Sequence, residues 1–398
     1  MSLLAATVPQ LLSPCLHQIP TTTIGPDSDF AQDRHVEMLT DPAVIETLTA
    51  RHKITTSMTR FLTQQDFISV QTPILAASAG GASARPFTTA ATEFPNRQLA
   101  LRIAPELWLK RLIVGGMDRV FEIGSSFRNE GLDKTHNPEF TTCEFYAVNW
   151  TLSQLQAQTQ EMITEIAAQL NKVDPSFRES IGQGATTPWP QIDFIPALNE
   201  ALASELPDLT AATACEEILR IFQEKQLPMP STPTLPRLLD KLASIYLEPR
   251  CTNATWIVNI PECLSPLAKS FLHPSLPYQR VAARAELFIH NKEVVNCYEE
   301  ENSPFEQRRK FVDQQRYARV NQDGENIQED TDDEAMKVDE DYIRCLEWGL
   351  PPTGGWGCGI DRLVMLMLGK EKISDVLAFG NLRQVTRGAE KVERTMDR

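Results

Sequence analysis

"FRNEGLDKTHNPEFTTCEFY", residues 127–146, sets Arg128, Glu130, Lys134, His136, Glu139 and Glu144 among Phe127, Phe140, Phe145 and Tyr146. Charge at this density normally belongs to solvent, and this many aromatic rings normally belong to a core. Strand alternation reconciles the two. Read as a strand, the second half puts Phe140, Thr142, Glu144, Tyr146 and Val148 on one face and Thr141, Cys143, Phe145 and Ala147 on the other. The second face is core. The first carries a carboxylate and a phenol pointing the same way, about 7 Å apart at a rise near 3.4 Å per residue. "DRVFEIGSSFRNE" (118–130) supplies an earlier strand and "GLDKTHN" (131–137) a charged loop between the two. On spacing alone, a salt-laced hairpin without a ligand is the plainer alternative.

A second segment, "RAELFIHNKEVVNCYEEEN" (284–302), repeats the design. Ala285, Leu287 and Ile289 alternate with Arg284, Glu286 and Phe288, and "HNK" is a turn candidate. Beyond the turn Asn296, Tyr298 and Glu300 share a face, for which Glu293 has the wrong parity. If Glu293 joins them, the strand contains a bulge. Acids clustered in a half-buried hairpin require cations, because an unpaired buried charge costs several kcal/mol. Magnesium and a substrate ammonium are the candidates; a solvated edge strand is the alternative.

The third segment is "GGWGCGIDRLVMLMLG" (354–369). Its glycines leave a flat backbone surface for a planar group, and Asp361 opens a helix that turns Leu363, Leu366 and Met367 to the core. Arg362 in the first turn opposes the helix dipole, so an anionic or aromatic ligand explains it better than helix stability. The spacing is not that of a dinucleotide-binding fingerprint.

A chain of 398 residues, 42% hydrophobic, can bury a large core. No run of eighteen apolar residues occurs, which excludes a hydrophobic membrane-spanning helix. The first Lys or Arg is Arg34, which argues against a secretory signal and an Arg-rich presequence. The expectation is a cytoplasmic protein as the chain stands, or a mitochondrial matrix protein if a leader has been trimmed. The eight cysteines are scattered, as reduced thiols are, with no zinc-ligand spacing. A net charge of -15 leaves nucleic-acid binding to a local basic patch.

Along the chain, residues 1–33 read as an extended arm. Helical spacing runs from Asp41 to about Gln65, strand character follows to Pro73, 100–115 again looks helical, and 151–171 is a long amphipathic helix. Residues 172–250, rich in Pro, Ser and Thr, read as a surface insertion with helical pieces near 195–203, 212–224 and 236–246. Long helices and separate hairpins without regular strand–helix alternation favour an α+β fold.

The Pro73 segment, "FRNE" (127–130) with its charged loop, and "GIDR" (359–362) together resemble the three motifs of class II aminoacyl-tRNA synthetases. "GGASARPF" (80–87), "LRIAPELWLKRLIVGG" (101–116), "SPLAK" (265–269), "DDEAM" (332–336) and "GLPPTGGWGCGIDR" (349–362) look specifically like lysyl-tRNA synthetases, and the C-terminal run looks like their fungal mitochondrial branch. The resemblance covers about residues 12–387 and is weak only across the insertion. It implies an antiparallel sheet flanked by helices, with a catalytic domain over 34–398 and the variable insertion at about 172–250.

The implied reaction is attack of the lysine carboxylate on the α-phosphate of ATP, giving lysyl-adenylate and pyrophosphate, then transfer of lysine to tRNA. By resemblance, Arg128 bridges the α-phosphate and the carboxylate, with Arg128, Glu130 and Arg362 as the catalytic set. Glu130 and His136 hold the two ends of ATP, Phe140 stacks under adenine, Arg362 covers its other face or the γ-phosphate, and Glu286 and Glu293 ligate magnesium. Gly81 and Glu106 take the α-amine, Asn296 the carboxylate, and Glu144, Tyr146 and Glu300 the side-chain ammonium. Tyr298 completes the lysine pocket where the family commonly has Phe, and Cys297 stands where it commonly has Gly. Both departures bear on fine substrate preference.

Members of that family place an anticodon-reading OB-fold before the core, and "ATVPQLLSPCLHQIP" (6–20) looks like its last strand and linker. Activation is expected to survive such a loss, and tRNA selection to be weakened. One alternative is a stand-alone ligase passing lysine to a protein or small molecule. Another is a non-catalytic paralogue binding ATP or lysine, against which the intact Arg128, Glu130, Glu286, Glu293 and Arg362 count. A homodimer through the Pro73 segment is expected from the class alone.

Overall fold

The computed structural model describes residues 8, 10, 13–20, 33–78, 80–82, 84–182, 187–317, 336, 338–382 and 385–386. The arm expected over 1–33 lies largely outside the described residues, as do positions 332–335 of "DDEAM".

The two hairpins and the glycine segment build one sheet. Its middle runs β2 (Arg119–Phe127), β3 (Glu139–Val148), β8 (Thr353–Gly359), β7 (Lys292–Glu299), β6 (Arg284–Ile289) and β5 (Thr255–Val258), each antiparallel to the next. Short parallel strands close the edges, β1 (Ile68–Ser69) on β2 and β4 (Gln191–Asp193) on β5. The fold is the expected α+β, its sheet dominated by antiparallel pairs.

Alternation in β3 is as the sequence predicts. Cys143, Phe145 and Ala147 enter a core shared with helices α1 (Pro42–Thr63), α3 (Leu152–Gln169) and α5 (Ile360–Met367). Phe145 stacks on Trp356 of β8 with ring centroids 4.8 Å apart, and the Trp356 indole N–H donates to Thr159 Oγ1 of α3 at 2.8 Å. That bond satisfies the one polar atom of a large buried ring. Across the Phe145 edge, Phe67 packs T-shaped at 5.0 Å. The charged face of the sheet is thus backed by a buried aromatic layer.

The β6–β7 turn places His290 and Asn291 at φ of 51° and 60°, the pair of positive angles that matches strand twist in a two-residue hairpin. Between Leu287 and Phe288 the register slips: Leu287 faces Val295 but Phe288 faces Glu293. β7 therefore carries one extra residue, the bulge that parity demanded. Val294 and Val295 are both buried, and Glu293 turns to the side of Asn296 and Tyr298.

Two readings change. Residues 100–115 are not one helix: Ala100 and Leu101 end the strand Phe94–Leu101, and helix α2 (Glu106–Val114) starts only after Pro105, whose missing N–H suits a helix start. That strand belongs to a separate three-stranded sheet with Leu75–Ala76 and Thr88–Ala91. The strand character before Pro73 amounts to the two residues of β1.

The segment 172–250 carries a hydrophobic cluster of its own, with Phe194, Leu198, Ile218, Phe222, Leu238 and Leu242 packed against Ile257, Ile260 and Phe288 at the far end of the sheet. Helix α4 (Leu235–Tyr246) of that segment faces the same cavity as the sheet. Among the described residues no helix is long and apolar enough to cross a membrane.

Candidate active site

A cavity of about 690 Å³ opens over the charged face of the sheet. Every residue given an ATP, lysine or metal role by the resemblance lines it except Glu300. Strand register explains why. Glu144, Gly357, Asn296 and Glu286 form one cross-strand row, and Tyr146, Gly355, Tyr298 and Arg284 form the next. Cross-strand neighbours project to the same side, so polar groups flank a trough floored by glycine. A Cβ on Gly355 would overlap the Glu300 carboxylate and the Tyr146 ring, whereas one on Gly357 would make only ordinary contact, 3.5 Å from Glu144 Cγ.

One end of the trough is acidic and aromatic. Glu106, at the start of α2, lies under Gly81, whose φ of +95° and 3.0 Å approach to Glu106 Cβ leave no room for a side chain. Glu106 Oε1 accepts from Lys110 Nζ at 2.6 Å and from the Tyr298 hydroxyl at 2.5 Å. Glu144 is buried, with the Tyr146 hydroxyl 3.4 Å from its Oε2. Burial first, and then the Glu106 charge, push its carboxyl up to about 8 against the pull of Arg128. Glu300 does not reach the cavity wall: it is 1% exposed and ion-paired with the fully buried Lys110.

Arg128 occupies the middle. Its guanidinium lies 5.1 Å from the centre of the Phe140 ring, the ring assigned by resemblance to adenine, and its Nε is buried with no hydrogen-bond partner among the described residues. Backbone bonds fix the loop that carries it, Arg128 N to Pro138 O at 2.8 Å and Asn129 N to Arg85 O at 2.7 Å. A forked cation held on an aromatic face, with a donor to spare, suits a carboxylate or phosphate.

At the other end, Arg362 donates to Glu293 O at 2.6 Å and approaches His136 Nε2 at 3.1 Å, while His136 Nδ1 lies 2.7 Å from Asp133. Nε2 therefore accepts and Nδ1 carries the proton. Asp133 also accepts from the Thr135 and His136 amides at 2.6 and 2.8 Å. Slight burial acts the other way, but these bonds hold its carboxyl down to about 2. The charged loop is thereby folded on itself. Asp361 pairs with Arg51 of α1 and accepts from Thr141 N at 2.8 Å, tying the first turn of α5, and so Arg362, to β3.

Beside them four carboxylates converge, Glu286 and Glu293 from the hairpin with Asp240 and Glu248 from the 172–250 segment. Arg284 pairs with Glu286 at 2.5 Å and with Asn296 Oδ1 at 2.9 Å. Burial still lifts Glu286 to about 7, with Arg284 lowering and Glu293 raising it, and burial beside Asp240 lifts Glu248 to about 7. Such acids favour a cation. Among the described residues no three His, Cys, Asp or Glu side chains form a complete metal site, so a cation here would take further oxygens from its ligand and water.

Residues 28–383 match the family model described as tRNA synthetases class II (D, K and N). The chain belongs to that family. A mitochondrial lysine–tRNA ligase of Schizosaccharomyces pombe is 43% identical over 97% of this chain and 70% of its own length. The lysine–tRNA ligase cla4 of Cladosporium cladosporioides is 40% identical over 98% of this chain and 64% of its own, and the lysine–tRNA ligase of Aquifex aeolicus 37% over 94% and 60%. The chain spans between 60% and 73% of the length of such curated relatives.

The glycine trough of β8 and the Arg128 strand–loop–strand were both legible from the sequence. Lys110, Arg51, Asp133, Asp240, Glu248 and Arg284 were not singled out. Lys110 had a local signal, standing four residues after Glu106 in a helical pattern, the spacing of a Glu–Lys pair. Asp240 and Glu248 had none.

Proposed function

We propose that this class II synthetase activates L-lysine with ATP and transfers the lysyl group to tRNA. The observation that carries the reading is the trough itself. A guanidinium with an unused donor, Arg128, stands between an acid- and tyrosine-lined end and an end bearing arginine, histidine and carboxylates. That these relatives are lysine–tRNA ligases supports the same reading.

Lysine lies with its carboxylate at Arg128 and Asn296 and its α-ammonium at Glu106 beside Gly81. Its side-chain ammonium meets Glu144 and Tyr146 under Tyr298, while Glu300 is already paired with Lys110. An apolar side chain would leave Glu144 buried and unpaired, which supplies rejection. ATP spreads adenine over Phe140 and runs its phosphates past Glu130 and His136 toward Arg362. A carboxylate oxygen of lysine attacks the α-phosphorus, and the bond to the β-phosphate bridge breaks as pyrophosphate leaves. This chain's part is to align the two anions on one guanidinium and cancel their repulsion. Glu286 and Glu293 are hard oxygen donors fitted to magnesium, which when bound with ATP neutralises phosphate charge. Charging of tRNA with labelled lysine tests the reading; exchange of pyrophosphate without any charging would detach the acceptor from it.

We further infer that two copies pair around Pro73. Ile68, Ile74 and Leu75 stand 53%, 44% and 50% exposed there, an apolar strip suited to a second copy. Sedimentation as a monomer at micromolar concentration contradicts the pairing.

A further inference from the structure

The acidic end of the trough holds an ammonium that belongs to the chain. Lys110 Nζ is fully buried, 2.6 Å from Glu106 Oε1 and ion-paired with Glu300, and it lies 5.8, 5.4 and 5.9 Å from the ring centres of Tyr146, Tyr298 and Tyr342. Neither Lys110 nor Glu300 lines the cavity, whereas Glu106 does. Both described bonds to the Glu106 carboxylate, from Lys110 and from Tyr298, end on Oε1, which leaves Oε2 for the cavity.

We propose that Lys110 is the positioning residue of amino-acid recognition: its ammonium locks one oxygen of Glu106 so that the other meets the α-ammonium of the substrate, while it neutralises Glu300 behind the wall. The inference rests on the lysine-activation reading above and deepens it. Burial alone would depress the Lys110 ammonium, but Glu106 and Glu300 outweigh it and hold the group above its ordinary range, so it stays charged. Three carboxylates, Glu106, Glu144 and Glu300, share this end of the site. With the resident cation removed, their mutual repulsion is relieved only by protonating one of them or turning it away. A freed Glu106 no longer presents Oε2.

Lys110→Met keeps an unbranched apolar stem, one atom shorter, and removes the charge. Its test separates the two ammonium groups of the substrate by using 6-aminohexanoate, which lacks the α-amine, as an inhibitor of ATP–pyrophosphate exchange. The KM for lysine is expected to rise ~30-fold, the loss of one charge-assisted hydrogen bond. The KM for ATP and the inhibition constant of 6-aminohexanoate should stay within about threefold. An unchanged KM for lysine, or parallel weakening of lysine, 6-aminohexanoate and ATP, overturns the proposal, the second pattern marking a merely structural lysine. If Lys110→Met fails to fold, Tyr298→Phe removes the other donor to the same oxygen: a rise of ~5-fold for lysine without change for 6-aminohexanoate supports the proposal, and any other pattern overturns it. Wild-type protein without lysine-dependent exchange would instead remove the underlying reading, so the two failures are distinct.

Discussion

Glu144 and Asn296 flank Gly357 in a single cross-strand row, so the carboxylate that would hold the lysine side chain and the amide that would hold its carboxylate share one glycine as floor. The trough exists because β8 offers no side chains there, and the two glycines of its rows do so for different reasons.

Gly357→Ala is expected to fold almost as stably as the parent, since its Cβ meets only ordinary contacts, yet to raise the KM for lysine or ATP by ~10-fold by filling the trough. Gly355→Ala must displace the Glu300 carboxylate and the Tyr146 ring and should cost about 3 kcal/mol of stability. Paired urea melts and exchange kinetics check both. Equal destabilisation by the two substitutions would contradict the assigned geometry.

Glu144 predicts a pH dependence with a definite sign. With its carboxyl raised to about 8 in the free site, it is protonated at neutral pH and must lose a proton to bind an ammonium. kcat/KM for lysine should therefore climb with pH and level off above about 8, and Glu144→Gln should remove that limb along with most of the affinity. A raised carboxyl pKa favours folding of the protonated form, with that contribution fully present below the unfolded value and lost as pH rises through about 8. Thermal melts should accordingly show Glu144→Gln matching the parent near pH 4 and exceeding it near pH 9. A flat difference across that range would refute the assignment.

Arg51 and Asp361 join α1 to the first turn of α5, and Asp361 also takes the Thr141 amide. Arg51→Ala leaves Asp361 buried with its ion partner gone and should cost about 3 kcal/mol in denaturant unfolding. Because the same turn presents Arg362, the KM for ATP should rise several-fold while that for lysine moves little. A variant with parental stability would show that the pair only decorates the surface.

Much of this site could be read from the chain because it is built on strands, where side-chain direction follows from parity alone. Glu144 and Tyr146 share a face with Phe140, and Cys143 and Phe145 share the other, in any sheet that buries one side. The same rule exposed Glu293 as out of phase and required the bulge found beside Val294. What parity cannot reach is a partner far off in the chain. Glu300 reads as a pocket residue by its place on β7's continuation, but Lys110 draws it behind the wall from a helix 190 positions earlier. Asp240 and Glu248 stayed unread because Pro-rich composition says surface and carries no information about which helix leans over the cavity. The false helical start at 100 came from leucine spacing that a strand end and a helix start happen to share across Pro105.

The most direct test of the central claim is lysine-dependent exchange of pyrophosphate into ATP, measured with magnesium beside norleucine, which has the same carbon chain without the terminal ammonium. Exchange with lysine and at least ~100-fold less with norleucine is the result the acid-lined end of the trough requires. No exchange with lysine, or equal exchange with both, would contradict it.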